Sequence, residues 1–376
     1  MRVVGATIKV SDSMKVEVEG NFRLFGNAKI ENDGLMEIDG YFINSGISEG
    51  FINRNNLGEV YLKGTNSPTI IAGASPIYFE KLTLDNPQNI NNQTDIFIEN
   101  ELELINGKIN SENNFITILN TNENALIGFD NTHYINGKMR QYIENSKTYN
   151  FPIGTTTNYE LATITVTNTD NNSFIEAEFI TGNFLPPNNL TLENTIIKEF
   201  LDYGYWQFNP ITNGLFDITV TSNGHSNGSE TATKHALFRQ RNGIWENAGI
   251  HDNTTHSGIL INAITAKRTA VQGLGNFIIG KGDYVISTNS NLHQNFKFIN
   301  AFSFGSNLNI EFIGIENTAY QVHLIDLNGR ILASKNTSHN TTFEQVNFDI
   351  SNLPSSLYFI SITSQDFLFT HKIFLN

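Results

Sequence analysis

Among the side chains able to do chemistry, the carboxylates Glu99, Glu101 and Glu103 are placed most suggestively. They interleave a segment in which Ile96, Ile98, Leu102 and Leu104 share the opposite strand face. Carboxylates gathered on one face could ligate calcium, which wants several oxygens, or supply the paired acids of a glycosidase. Successive side chains on a strand face lie about 7 Å apart, however, and no Asp/Gly calcium loop surrounds them. The plainer expectation is a solvated face, with no metal and no cofactor.

Other chemical groups are weaker. His225, His235, His251 and His256 fall within one segment beside Asp252, but no two stand at a recognised zinc spacing, and His251 to His256 spans a Thr/Asn/Ser/Gly stretch. Gly224 to Gly228, GHSNG, has the small-residue frame of a serine elbow, yet it follows Asn223 in a hairpin-like polar loop, so no catalytic serine is predicted. Gly273-Leu274-Gly275 lacks the third glycine and following helix of a dinucleotide site. The tryptophans, Trp206 and Trp245, with Tyr203, Tyr205 and Phe208, could stack on sugar rings; the competing expectation is a strand-borne aromatic core. Arg239 and Arg241 alternate with Phe238 and Gln240, the pattern of an exposed strand face.

These groups need elements to hold them, and the elements read as strands. The 376 residues leave room for two or three domains. Charged residues make up only 16% and the net charge is −14, which argues against nucleic acid and anionic membranes and leaves a cationic ligand or neutral surface glycan open. The absence of cysteine excludes disulfides and thiolate chemistry, and no stretch approaches a transmembrane span. Asn-Gly pairs at 106, 136, 213, 223, 227, 242 and 328 sit between apolar alternations, an all-β signature.

The opening third repeats itself. Val18-Glu19-Gly20-Asn21-Phe22 through Gly26 superimposes on Ile38-Asp39-Gly40-Tyr41-Phe42 through Gly46 at an offset of 20, and Tyr61-Leu62-Lys63-Gly64 follows 24 residues after the second copy. Such offsets suit the rungs of a right-handed parallel β-solenoid, with glycine marking a φ > 0 corner. A meander of antiparallel hairpins is the alternative. The predicted organisation is a solenoid-like region over 1–148, a β-sandwich module over 149–284, a polar linker over 285–299 and a terminal domain over 300–376. Around Leu192, Ile196 and Phe200 a strand running toward Trp206 is preferred to a short helix.

In the terminal domain Val322, Leu324 and Leu327 line a strand face, Asn328-Gly329 provides the turn, and Ile331-Leu332 begins the return strand. Phe348 and Ile350 lead to Leu353-Pro354, Leu357 to Ile362 form a strand covered on both faces, and Phe367 to Leu375 closes the domain. This pattern resembles the C-terminal sorting domain of type IX secretion cargo, an immunoglobulin-like β-sandwich. The resemblance rests on Leu308, Ile310 and Phe312, on Val322, Leu324, Asp326, Gly329 and Arg330 in a D-x-x-G-[RK] hairpin, and on Leu353, Pro354, Leu357, Tyr358, Ile360, Lys372 and Ile373. The phrases around Phe151-Pro152-Ile153-Gly154, Tyr205 to Phe208, Asn242 to Gly249 and Gly275 to Gly282 resemble a β-rich module of large bacterial surface proteins.

The resemblance implies the type IX machinery as a partner and a secreted or surface location. Such cargo carries a cleavable signal, whereas the apolar run between Arg2 and Lys9 is too short for one, so the sequence reads as a truncated product or part of a longer chain. The expected function is a non-catalytic adhesin or surface structural module. The alternatives are a carbohydrate-active solenoid lyase or hydrolase, or a glycan-binding module.

Overall fold

The computed structural model describes residues 1–46, 58–65, 67–170, 173–188, 190–192, 195–210, 214–228, 234–252, 263–282, 296–314, 319–327, 329–337, 343–364 and 367–375. All regular elements among them are strands, and they divide into two compact units, Met1–Val285 and Ile286–Asn376. Ser287 to Gln294 of the predicted linker lies outside the described residues, and the strand Lys297–Phe304 already begins within the linker's predicted end.

The first unit opens as a β-solenoid of about seven turns. Its strands fall into three sides. The first stacks Arg2–Val4, Phe22–Gly26 and Phe42–Gly46, then Thr69–Gly73 and Ile90–Asn92, all in parallel. The second carries Thr7–Val10 on Lys29–Asn32 and, in later rungs, Ile77 to Phe79 on Ile96 to Ile98. The third runs from Lys15–Val18 through Leu35–Ile38 and Glu59–Lys63 to Lys81, Glu101 and Leu126–Ile127. The sequence offsets are the rung repeat itself: Phe22 pairs with Phe42, Val18 with Ile38, and Ile38 with Leu62.

Inward positions are mostly apolar on all three sides, with Asn32, Asn44 and Thr69 buried among them. Phe22, Phe42, Ile38, Leu62, Ile98 and Leu102 are fully buried, and Phe42 stacks on Phe22 at 5.5 Å and meets Phe79 edge-on at 5.3 Å. A rung cannot cover this face alone, so stability grows by stacking. The glycine phase has two causes. Gly26 turns the second rung's corner at φ +63, whereas a Cβ on Gly46 would stand 2.8 Å from the Gly26 carbonyl, so close stacking and not a positive φ excludes other residues there.

The strand Ile135–Tyr142 ends the solenoid pattern. Its start pairs in parallel with Ile109–Asn110 and with Ile153–Gly154, and Met139 to Tyr142 pair antiparallel with Phe174 to Ala177. From there two antiparallel runs continue. One passes through Lys147–Gly154, Tyr159–Asn168, Leu215–Ser222 and Ile264–Gln272, the other through Phe174–Thr181, Gly204–Asn209, Asn276–Gly282 and Lys234–Arg241. Phe151 of the first meets Phe208 of the second at 6.1 Å inside the shared core.

The second unit has a three-stranded antiparallel sheet, Lys297–Phe304, Asn307–Ile313 and Phe343–Asp349. It also has a four-stranded one ordered Ile331–Asn336, Gln321–Ile325, Ser356–Ser364 and Phe367–Leu375. Alternation buries Leu308, Ile310 and Phe312 from one sheet with Val322, Leu324, Tyr358, Ile360 and Ile362 from the other, as in a β-sandwich.

Candidate functional site

The carboxylate strip lies on the solenoid's third side and is not a cleft. Within the strand Ile96–Asn106 the pairing with the rung before shifts register between Ile98 and Glu101, so an irregularity separates Glu99 from the other two. Lys81, from the rung before, lies 2.9 Å from Glu101 and 3.7 Å from Glu103, and it reaches Glu59 at 3.9 Å. Burial works against the Lys81 charge, but the hydrogen bond to Glu101 and the fields of the three carboxylates hold its pKa above the usual value. Earlier rungs repeat the device: Lys63 donates to Glu37 at 2.8 Å and Glu17 at 3.0 Å, and Lys15 reaches Glu37 at 2.8 Å. The lysine hydrogen bonds hold the Glu37 carboxyl below its ordinary range. No group of three or more potential ligands converges on a metal position among the described residues.

In the antiparallel region Trp206 is 1% exposed, stacked on Phe208 at 5.5 Å and edge-on to Phe179 at 5.8 Å. Its ring faces belong to the core and are closed to a sugar. Trp245 is half-buried beside a cavity of about 430 Å³ lined by Pro187, Leu190, Ile244 and Glu246. His235 is fully buried and His225 nearly so, while His256 lies outside the described residues. Arg239 departs from the exposed face expected of it. It is 7% exposed, donates to Glu246 at 2.9 Å and to the Gly273 carbonyl at 2.9 Å, and so ties two hairpins together.

The GHSNG stretch has the glycine–x–serine–x–glycine spacing, but its groups pin a loop. Ser226 donates through Oγ and backbone N–H to the Asp202 carboxylate at 2.5 and 2.7 Å, and the Gly228 N–H donates to His225 Nδ1 at 3.2 Å. Beneath it Glu160, fully buried, accepts the Asn223 N–H at 3.0 Å and the Gly224 N–H at 3.3 Å. Burial pushes the Glu160 carboxyl up to about 8 against the pull of these donors. Nothing in the sequence marked Glu160, which sits in an ordinary alternating strand.

The sorting-type residues come together in the second unit. Gly329 stands at φ +80 and donates its N–H to the Asp326 carbonyl at 3.0 Å. Asp326 closes the hairpin from both ends: its N–H donates to the Arg330 carbonyl at 3.0 Å, and its carboxylate accepts the Arg330 N–H at 2.9 Å and Nε at 3.2 Å. An Asp at the loop's start and an Arg after its glycine therefore make one clamp. Asn328 lies outside the described residues. Leu327, expected on the apolar face, is 60% exposed because it is out of phase with Val322 and Leu324 and sits past the strand end. Leu353 packs at the core edge, and the Pro354 carbonyl accepts the Tyr358 hydroxyl at 2.8 Å. Lys372 is exposed on the closing strand.

The outer face of the four-stranded sheet is unevenly coloured. At one end His323, Ser334, Ser361 and Thr370 form a polar row in register. Toward the other end Ile331, Ile325, Phe359 and Lys372 form a row, with Leu357 and Phe374 beside it. Ile331 is 54% and Phe374 59% exposed, so an apolar patch rimmed by Lys372 and Arg330 faces outward. On the other sheet exposed Phe302 and Phe343 are separated by the Gln345–Glu311 hydrogen bond of 3.1 Å.

Residues 304–376 match the family model described as a secretion system C-terminal sorting domain. The tail is thus a type IX secretion sorting domain, and it directs the protein to the cell surface or extracellular space through that machinery. No curated protein and no solved structure matches the chain. Among the described residues no helix is long and apolar enough to cross a membrane.

Proposed function

We propose that this is a non-catalytic surface protein, an adhesin or structural module, whose body makes contacts and whose tail is gripped by the secretion machinery on its outer apolar patch. Cross-rung pairing carries the first half of this reading. Lys15, Lys63 and Lys81 each bridge carboxylates of more than one rung, and Glu37, whose carboxyl the Lys15 and Lys63 hydrogen bonds hold below its ordinary range, keeps its charge instead of cycling protons as a general acid must. Exposed apolar side chains flanked by Arg330 and Lys372 suit a partner with an apolar groove and acidic rim, which supports the second half.

Cells exporting the full chain should adhere to a solid surface more strongly than cells exporting an inert reporter on the same tail. The purified chain should release neither reducing ends nor unsaturated uronates from polysaccharides. Equal adhesion, or steady sugar release, would overturn the reading.

A further inference from the structure

The antiparallel half of the first unit carries a continuous outward row that none of the roles above uses. It starts in the solenoid's last rungs, where Phe115 pairs with Lys138, whose Nζ lies 3.7 Å from Glu178 on the neighbouring strand. The row continues Glu178 to Gln207, Gln207 to Asn276, Asn276 to Gln240 and Gln240 to Trp245, each pair directly opposite on adjacent strands. Tyr205, two residues before Gln207 and so on the same face, lies 6.4 Å from Trp245 ring to ring. The row thus ends in two aromatic rings, at the 430 Å³ cavity that Trp245 lines.

Its chemistry is uncharged in sum. Lys138 is matched by Glu178, and Arg140 is matched by Glu176 through Nε at 3.0 Å and a second guanidinium contact. Beyond these pairs the polar groups are the amides of Gln207, Asn276 and Gln240, which donate and accept and do not titrate. The Asn276 amide donates to Gln240 at 3.0 Å, which orients both. Amide rungs recur at the strand spacing of about 4.8 Å, close to the advance of an extended pyranose chain per sugar. A row of oriented amides ending in aromatic rings matches hydroxyl groups and C–H faces. In a chain of net charge −14 an anionic polymer would be repelled.

We infer that this face, from Glu178 through Gln207, Asn276 and Gln240 to Trp245 and Tyr205, binds a neutral polysaccharide laid across the strands. The inference rests on the contact role proposed above and gives that contact a ligand class.

The test is affinity electrophoresis of the full chain in native gels containing hydroxyethyl cellulose, xyloglucan, galactomannan or laminarin. At least one polymer should retard the wild type. Trp245→Ala and the double variant Gln207→Ala/Asn276→Ala should each weaken retardation about tenfold, while Tyr78→Ala, on an aromatic pair elsewhere on the solenoid, should leave it unchanged. The double variant changes half-exposed positions only, so it stays informative if loss of Trp245 disturbs folding. No retardation by any of the polymers, or retardation untouched in both variants, overturns the inference. Adhesion that persists without retardation would sink this site and spare the contact role.

Discussion

On the solenoid's third side the outward positions hold Lys15, Glu37, Glu59, Lys63, Lys81 and Glu101, and each lies close to an opposite charge, in most cases on a neighbouring rung. At one end of the tail's four-stranded sheet the outward positions hold Ile325, Ile331, Leu357, Phe359 and Phe374. Both faces are β-sheet, and both back onto a hydrophobic cluster. The solenoid's charges find their partners within the molecule, whereas the tail's apolar patch has its covering still to find. A sheet face that is internally matched is built to remain in water, and one left apolar is built to be covered.

The comparison breaks first if the two cores are not independent. Phe42→Ala should cost the first unit about 3–5 kcal/mol by emptying a fully buried ring site. In denaturant titrations one transition should move and the tail's should stay; a common shift of both would show a single cooperative body.

Next in size is a pH effect confined to the first unit. Glu160 has an ordinary value of 4.5 and about 8 when folded. Between those values the folded state keeps a proton that the unfolded chain releases, so stability is greatest below about 4.5 and is lost as pH rises through about 8. The first unit's melting temperature should therefore fall between pH 5 and pH 8, by the equivalent of a few kcal/mol. The Glu160→Gln variant should show a flatter profile, and an unchanged slope would remove Glu160 as its source.

A smaller change sharpens the tail's side. Asp326→Ala removes the acceptor for the Arg330 N–H and should lower the tail's stability by about 1 kcal/mol, read from its denaturation midpoint. Smallest is Lys63→Met, which unties Glu17 and Glu37 and should cost the solenoid about 0.5–1 kcal/mol, less at high salt. A salt-independent loss would mean that the lysine stem's packing, and not its charge, matters.

Much of the fold was legible in the sequence because stacked rungs must present like residues at like phase. Phe22 and Phe42, or Ile38 and Leu62, announce their pairing by spacing alone. The tail was legible because Asp326, Gly329 and Arg330 form a local clamp whose parts lie within five residues. What stayed hidden depends on register between distant segments. Glu99 looked coplanar with Glu101, but a register shift between Ile98 and Glu101 separates them. Arg239 looked exposed because its alternation with Phe238 and Gln240 gives no sign of the Gly273 carbonyl, which reaches it from a distant segment while Glu246 meets it within its own hairpin. The row from Glu178 to Trp245 is drawn from five strands, and no local pattern could have shown it.

The central claim is that the tail is a self-sufficient address label. Residues Ile286–Asn376 placed behind a signal peptide and a reporter, in a type IX-competent host, test it directly. The account predicts reporter activity outside the cell, abolished by Ile331→Glu/Phe374→Glu while the tail stays folded. Retention of the unmutated fusion in the periplasm would contradict it.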